Sequence, residues 1–203
     1  MRNASQATLI IFTRYPEPGK TKTRLIASLG KEGAAQLQKK LTEHTLKEVS
    51  QLAVNCQIHF AGGNKKLMTN WLGENYAYYP QSEGDLGDRL IAAVQKNFYE
   101  DCERIVIIGI DCPDLKADLI DRAFQELTHN DLVLGKAEDG GYYLIGLREF
   151  YPQLFQGIEW GTHVVLQQTV AVAETLGLTI SYLPMLNDID TPEDLKTVTL
   201  PWE

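Results

Sequence analysis

Four short segments hold the residue types able to do chemistry. In the first, TRYPEPGKTKTRL, Arg14, Lys20, Lys22 and Arg24 crowd together in a chain of formal net charge −8. One basic loop on an acidic protein suits a small anionic ligand, whereas a general nucleic-acid binder needs a basic face. Pro16 and Pro18 stiffen the turn, and Gly19 lets the backbone approach a ligand. Lys20, Lys22 and Arg24 then enter a helix, whose N-terminus favours an anion. The string GKT is not a P-loop, because that pattern needs glycine at the position of Arg14 and excludes a loop with two prolines. The plainer alternative is a solvated basic turn.

The other three segments are acidic. In Asp111-Cys112-Pro113-Asp114, Asp111 directly follows the most apolar run of the chain, RIVIIGI. A carboxylate held there could take Mg²⁺ or Mn²⁺ and bridge to phosphates, while Asp114 reads as a helix cap. Cys112 reads as a packing residue. In Glu138-Asp139-Gly140-Gly141-Tyr142-Tyr143, two glycines after Asp139 leave room for a sugar or ribose, and a tight Asp-Gly hairpin explains the same residues. In Asp188-Ile189-Asp190-Thr191-Pro192-Glu193-Asp194, Thr191 reads as an N-cap before Pro192. Asp188 and Asp190 alternate around Ile189, so both are expected to point one way and complete a metal site with Asp111. Trp160 reads as core or as the rim of a pocket. His44, His59, His129 and His163 lack metal-ligand spacing.

What must position these segments is an alternation of strands and helices. Strands are predicted at Thr8–Thr13, Gln57–Ala61, Ala77–Tyr79, Arg104–Ile110, Leu132–Gly135, Tyr142–Leu147 and Thr179–Leu183. Helices are predicted at Lys31–Ala53, Lys65–Leu72, Leu86–Tyr99, Asp118–Thr128, Gly161–Leu176 and Pro192–Val198. This order predicts an α/β fold, a three-layer α/β/α sandwich on a mostly parallel sheet. Ligands in such sheets bind beyond the carboxyl ends of the strands, which is where all four segments fall.

The 203 residues, 44% hydrophobic and 23% charged, suit one globular domain over 1–203. Three cysteines without paired spacing predict a reduced, cytoplasmic protein. No apolar run reaches membrane-spanning length, and LIIF near the start is too short for a signal peptide. Assembly, including a homo-oligomer, stays open.

FTRYPEPGKTKTRL, EGDLGDRL, IGIDCPDL, AEDGGYYLIGL and DIDTPEDL, in this order, resemble a bacterial group of GT-A-type proteins provisionally described as glycosyltransferases, some linked with arsenosugar biosynthesis. The resemblance runs from Phe12 to Leu195. The wider nucleotide-diphosphosugar transferase superfamily includes phospholactate and molybdenum-cofactor guanylyltransferases. The resemblance implies a Rossmann-like GT-A fold with a mixed sheet, a metal at Asp111 and Asp190, and phosphates at Lys20, Lys22 and Arg24. It also implies that Asp139, Gly140 and Gly141 border the transferred group. Two features depart from it: the first loop lacks an alanine-glycine start, and the acids form DxxD in place of DxD.

Three functions follow as expectations. The first is a metal-dependent glycosyltransferase that moves a sugar from a nucleotide-diphosphate donor to a small-molecule acceptor. The second is a nucleotidyltransferase that joins a nucleoside triphosphate to a phosphorylated small molecule. The third is a non-catalytic nucleotide-binding module. For either enzyme, Asp111 and Asp139 are the expected catalytic residues and Arg14, Gly19, Lys20, Lys22 and Arg24 the phosphate site. Gly140, Gly141 and Trp160 are the expected donor or acceptor pocket, and Asp111, Asp190 and Asp188 the expected ligands of Mg²⁺ or Mn²⁺.

Overall fold

A computed structural model describes residues 7–100 and 102–197. In chain order the elements are β1 (Ala7–Arg14), α1 (Ile26–Val49), β2 (Asn55–Ala61), α2 (Lys65–Leu72), β3 (Ala77–Pro80), α3 (Leu86–Tyr99) and β4 (Arg104–Ile108). They continue with α4 (Ala117–Glu126), β5 (Leu132–Ala137), β6 (Tyr142–Leu147), α5 (Val165–Thr175), β7 (Ile180–Leu186) and α6 (Asp194–Thr197). Two single 3₁₀ turns, Thr23–Leu25 and Pro152–Phe155, complete them. The strands form one sheet in the order β3-β2-β1-β4-β6-β5-β7. Every pair is parallel except those made by β6, which runs antiparallel to both β4 and β5.

The strands alternate faces, and the apolar residues sort accordingly. Leu9, Ile11, Val106 and Ile108 join Leu37 and Leu41 of α1, Met68 of α2 and Ile120 of α4 in one core. Ile10, Ile105, Ile107 and Ile145 join Leu90 and Val94 of α3 and Ala173 of α5 in the other. This is the expected three-layer sandwich with β4 in mid-sheet. Leu9, Ile10 and Ile11 are all fully buried, so β1 faces apolar neighbours on both sides. Truncating any of them to alanine should cost about 2–5 kcal/mol.

Several boundaries differ from the pattern-based ones. The β4 ladder stops at Ile108, so Gly109 and Ile110 stand between the strand and Asp111. At Gly30 a φ of 71° breaks the helical path, and α1 is two helical pieces, the second of which starts as predicted but ends at Val49 instead of Ala53. The stretch before Val165 is irregular rather than helical. There Gly161 has φ 77° and Thr162 Oγ1 donates to the Glu159 carbonyl at 2.7 Å. Pro192 precedes α6 instead of opening it, and Thr191 does not cap it. The expected end of that helix, Val198, lies outside the described residues. No helix among the described residues is long and apolar enough to cross a membrane.

Candidate active site

The strand order reverses between β1 and β4: the chain runs outwards from β1 to β3, then restarts at β4 on the other side. Ligand sites form beyond the carboxyl ends of strands at such a reversal. The loop after β1 and the turn carrying Asp111 both end there. A second connection closes the site, because the Ile189 amide donates to the Asp111 carbonyl at 2.8 Å. Ile189 is fully buried, which fixes Asp188 and Asp190 beside Asp111. Asp194 shapes this turn by accepting from the amides of Asp190 at 2.9 Å and Thr191 at 2.6 Å. Burial alone would raise the Asp194 pKa, yet these donors outweigh it and hold it below the ordinary carboxylate value.

Two cavities meet at this point. One, of about 580 Å³, is lined by Arg14, Lys20, Lys22 and Arg24 with Asp111 and Asp190. The other, of about 350 Å³, has apolar walls that include Phe12, Leu90, Ile107 and Trp160, with Asp111, Asp139 and Asp188 among its lining residues. Phe12, Leu86, Ile110 and Asp111 belong to both and form the ridge between them.

Lys22 holds a different position from the one its neighbours suggest. Its side chain is 4% exposed and its ammonium lies 2.8 Å from Asp111 Oδ1 and 4.0 Å from Asp190 Oδ1. It also donates to the Ile189 carbonyl. Lys22 is therefore the counter-cation of the acids, and it also lines the basic cavity. It meets Asp111 Oδ1 as an ion pair without hydrogen-bond alignment, and that buried oxygen has no hydrogen-bond partner. To reach this place Lys22 adopts φ 47°, the one non-glycine positive φ among the described residues. Such a conformation costs on the order of 1–3 kcal/mol, which the buried charge contacts must offset.

The other basic residues stay nearer the solvent. Arg24 pairs with Asp190 and remains more than half exposed. Lys20 pairs with Glu17 at 2.8 Å and is also largely exposed. Gly19 does not line the cavity. It holds the turn at φ 81°, and a Cβ there would touch the Lys31 stem.

The acids divide between the cavities. Asp190 faces the basic one and Asp188 the apolar one, although both border a small crevice with Arg24. They thus share one small space, as alternation suggests, while each opens onto a different main cavity. Asp188 is raised to about 6 by burial first, then by the charges of Asp139 and Asp111. Among the described residues, no three acids, histidines or cysteines form a preformed metal cluster. Cys112 is buried, and its thiol pKa is pushed well up by that burial, as suits packing.

The β5–β6 hairpin is both a turn and a wall. Asp139 Oδ1 accepts from the Gly141 amide at 2.8 Å, and Gly141 lines the apolar cavity. Gly140 lies behind it: at φ 89° a Cβ would come within 2.1 Å of the His163 carbonyl. Its own carbonyl accepts from the Leu166 amide at 2.9 Å, docking the start of α5. His163 belongs to this packing and lines neither main cavity.

The segment EGDLGDRL acts through backbone and shape. Asp85 and Asp88 form a reciprocal capping box that starts α3. At Gly87 a Cβ would meet the Phe155 carbonyl at 2.2 Å and Trp160 Nε1 at 2.8 Å, so glycine lets the Trp160 loop pack against α3. Phe12, Leu86 and Gln81 were not singled out by residue type. Gln81 donates to the carbonyls of Thr13 and His59 and ties the ends of β1 and β2 together beside the basic cavity. Only its place just after a strand could have drawn attention to it.

Similar proteins agree with this architecture. A provisionally named nucleotide-diphospho-sugar transferase from Desulfovibrio desulfuricans G20 is 37% identical with a TM-score of 0.90, covering 95% of this chain and 85% of that one. An inositol-1-phosphate CTP transferase from T. maritima shares the fold at 13% identity and TM-score 0.62, covering 96% and 93%. A manganese complex of Rv0371c from Mycobacterium tuberculosis H37Rv does so at 12% identity and TM-score 0.60, covering 95% and 97%. No curated protein matches the chain significantly. A family model described as an uncharacterized protein conserved in bacteria matches residues 45–162, a span that includes Asp111, Asp139 and Trp160, and the chain belongs to that family, DUF2064.

Proposed function

We propose that the protein is a transferase that moves a sugar from a nucleotide-diphosphate donor to a small acceptor. The observation that carries this reading is the meeting of a basic cavity and an acid-bearing apolar cavity at Asp111. Arg14, Lys20 and Arg24 suit the diphosphate, and the ridge at Asp111 is where the transferred group would lie.

The reaction forms a bond between an acceptor hydroxyl oxygen and the sugar's anomeric carbon. The bond from that carbon to the diphosphate oxygen breaks, and its electron pair leaves on the nucleoside diphosphate. Asp139 would take the hydroxyl proton, a role supported by its place in the cavity lining and by the Gly141 amide donating to its Oδ1 alone. Arg14, Lys20 and Arg24 steady the charge on the departing group.

The donor set suits a divalent metal. Asp111 and Asp190 supply hard oxygens, and Asp111 Oδ1 is buried without a hydrogen bond. These two residues would hold Mg²⁺ or Mn²⁺, which would supply positive charge against that of the leaving diphosphate. Lys22 would have to yield part of its contact to such an ion.

The test is product analysis with nucleotide sugars and nucleoside triphosphates in Mg²⁺ or Mn²⁺. Release of a nucleoside diphosphate that disappears in Asp111→Asn supports glycosyl transfer. Release of inorganic diphosphate from a triphosphate assigns nucleotidyl transfer instead. No turnover of either class, with nucleotide still bound, points to a binding module.

A further inference from the structure

The cavity beyond Asp111 has a feature that narrows what can enter it. No lysine, arginine or histidine lines it among the described residues. Its charged lining residues are Asp111, Asp139 and Asp188. Lys22 compensates Asp111, whereas Asp139 and Asp188 form no ion pair among the described residues. Arg24 borders the crevice on the far side of these two acids, where its guanidinium is engaged by Asp190. The remaining walls are apolar and aromatic. Tyr142 and Trp160 meet edge to face, with ring centroids 6.4 Å apart, and Leu90, Ile107 and Val165 also face the space. A phosphate or carboxylate placed here would lose its water and face three carboxylates with no cationic side chain among the lining residues, only neutral donors such as Trp160 and Tyr142, an unfavourable exchange. An apolar body would shed water onto apolar walls, and an amine would find uncompensated negative charge.

We infer that this cavity receives an apolar-bodied acceptor without negative charge, an alcohol or amine rather than a phosphorylated or carboxylated compound. The inference rests on the two-cavity reading above and deepens it. A phosphorylated co-substrate, as the nucleotidyl alternative requires, would find no basic side chain among the lining residues on this side of Asp111. At about 350 Å³ the space suits a ligand with one ring and a short side chain.

The experiment uses the full chain and three probes with a phenyl body: 2-phenylethylamine, 2-phenylethanol and 3-phenylpropionate. Each is titrated at neutral pH while the Trp160 indole N–H resonance is followed, assigned through Trp160→Phe. UDP and GDP are titrated separately into the basic cavity. The amine should bind at least about tenfold more tightly than the propionate, with the alcohol between them. Asp139→Asn and Asp188→Asn should each shrink the amine's advantage over the alcohol. A propionate that binds as tightly as the amine overturns the inference, as does absence of a Trp160 shift with all three probes. If the probes rank as expected but no nucleotide binds, the cavity's preference stands and the transferase reading falls. If nucleotides bind and the probes fail, the reverse holds.

Discussion

Replacing Lys22 by methionine removes one charge while keeping much of the side chain's apolar length. The ammonium lies 2.8 Å from Asp111 Oδ1, which at an effective dielectric of about 20 is a gross attraction of about 6 kcal/mol. Most of that does not survive as net stability. Lys22 is desolvated, whereas the Asp111 and Asp190 side chains are 44% and 36% exposed, so solvent screens their side of the pair. A net loss of about 1–3 kcal/mol is expected, and about 2 kcal/mol lowers Tm by roughly 4–8 °C in a chain of this size.

Thermal and urea denaturation of wild type, Lys22→Met, Asp111→Asn and the double variant measure this directly. In the Asp111→Asn background the lysine change should cost about 1–2 kcal/mol less, because the acid it serves has gone. Mn²⁺ should stabilise Lys22→Met more than wild type, since the ion then meets no rival for the acids. Equal losses in both backgrounds would refute the counter-ion role. So would a Lys22→Met protein as stable as wild type that gains nothing from Mn²⁺.

Other outcomes follow from the same geometry. Gly140→Ala forces a side chain onto the His163 carbonyl at φ 89° and should destabilise the fold by about 2–4 kcal/mol, seen as a lower urea midpoint. Gly87→Ala should push Trp160 from α3 and shift its fluorescence, with a stability loss of about 1–3 kcal/mol. Arg24→Ala leaves the buried Lys22 pair in place, so it should weaken binding of a nucleoside diphosphate by about tenfold with little change in Tm, measured by calorimetry. Asp188 is raised to about 6 when folded and titrates near 3.8 when unfolded, so the stability it allows is fully present below about pH 4 and is lost as pH rises through 6. Being only partly buried, it should account for no more than about 1–2 kcal/mol, and Asp188→Asn should flatten the metal-free stability profile between pH 4 and 6 by that amount.

The fold was largely legible because local patterns and tertiary burial agree here. In RIVIIGI every position from Ile105 to Ile108 is apolar, and β4 is buried on both faces over those residues. The helix at Leu86–Tyr99 matches its predicted limits because a capping box starts it and polar residues end its apolar spacing. The misjudged boundaries have local causes in tertiary contacts. The strand predicted to reach Ile110 leaves the ladder after Ile108, while β1 continues to Arg14 beside β2 and the Gly109 amide keeps only a 3.3 Å bond to the Tyr143 carbonyl. The helix predicted from Gly161 begins at Val165, where the Leu166 amide meets the Gly140 carbonyl across the fold.

The site was legible by residue but not by orientation. Residue type showed that acids and cations cluster at strand ends, and all four segments do gather beyond the sheet. Which cation serves which acid depends on a backbone torsion and on hydrogen bonds between residues far apart in sequence. Lys20, Lys22 and Arg24 look equivalent as alternating basic residues, yet one is buried and two are exposed. The difference arises at Lys22, whose φ of 47° turns its side chain inward to Asp111, Asp190 and the Ile189 carbonyl. Those three groups come from two loops that the bond from the Ile189 amide to the Asp111 carbonyl joins. A strained torsion at a charged residue is kept when surrounding contacts over-determine it. Here those contacts also hold together acids that would otherwise repel one another. The same arrangement leaves Arg14, Lys20 and Arg24 on the solvent side of the buried Lys22 ammonium, where the diphosphate of the proposed donor would reach them.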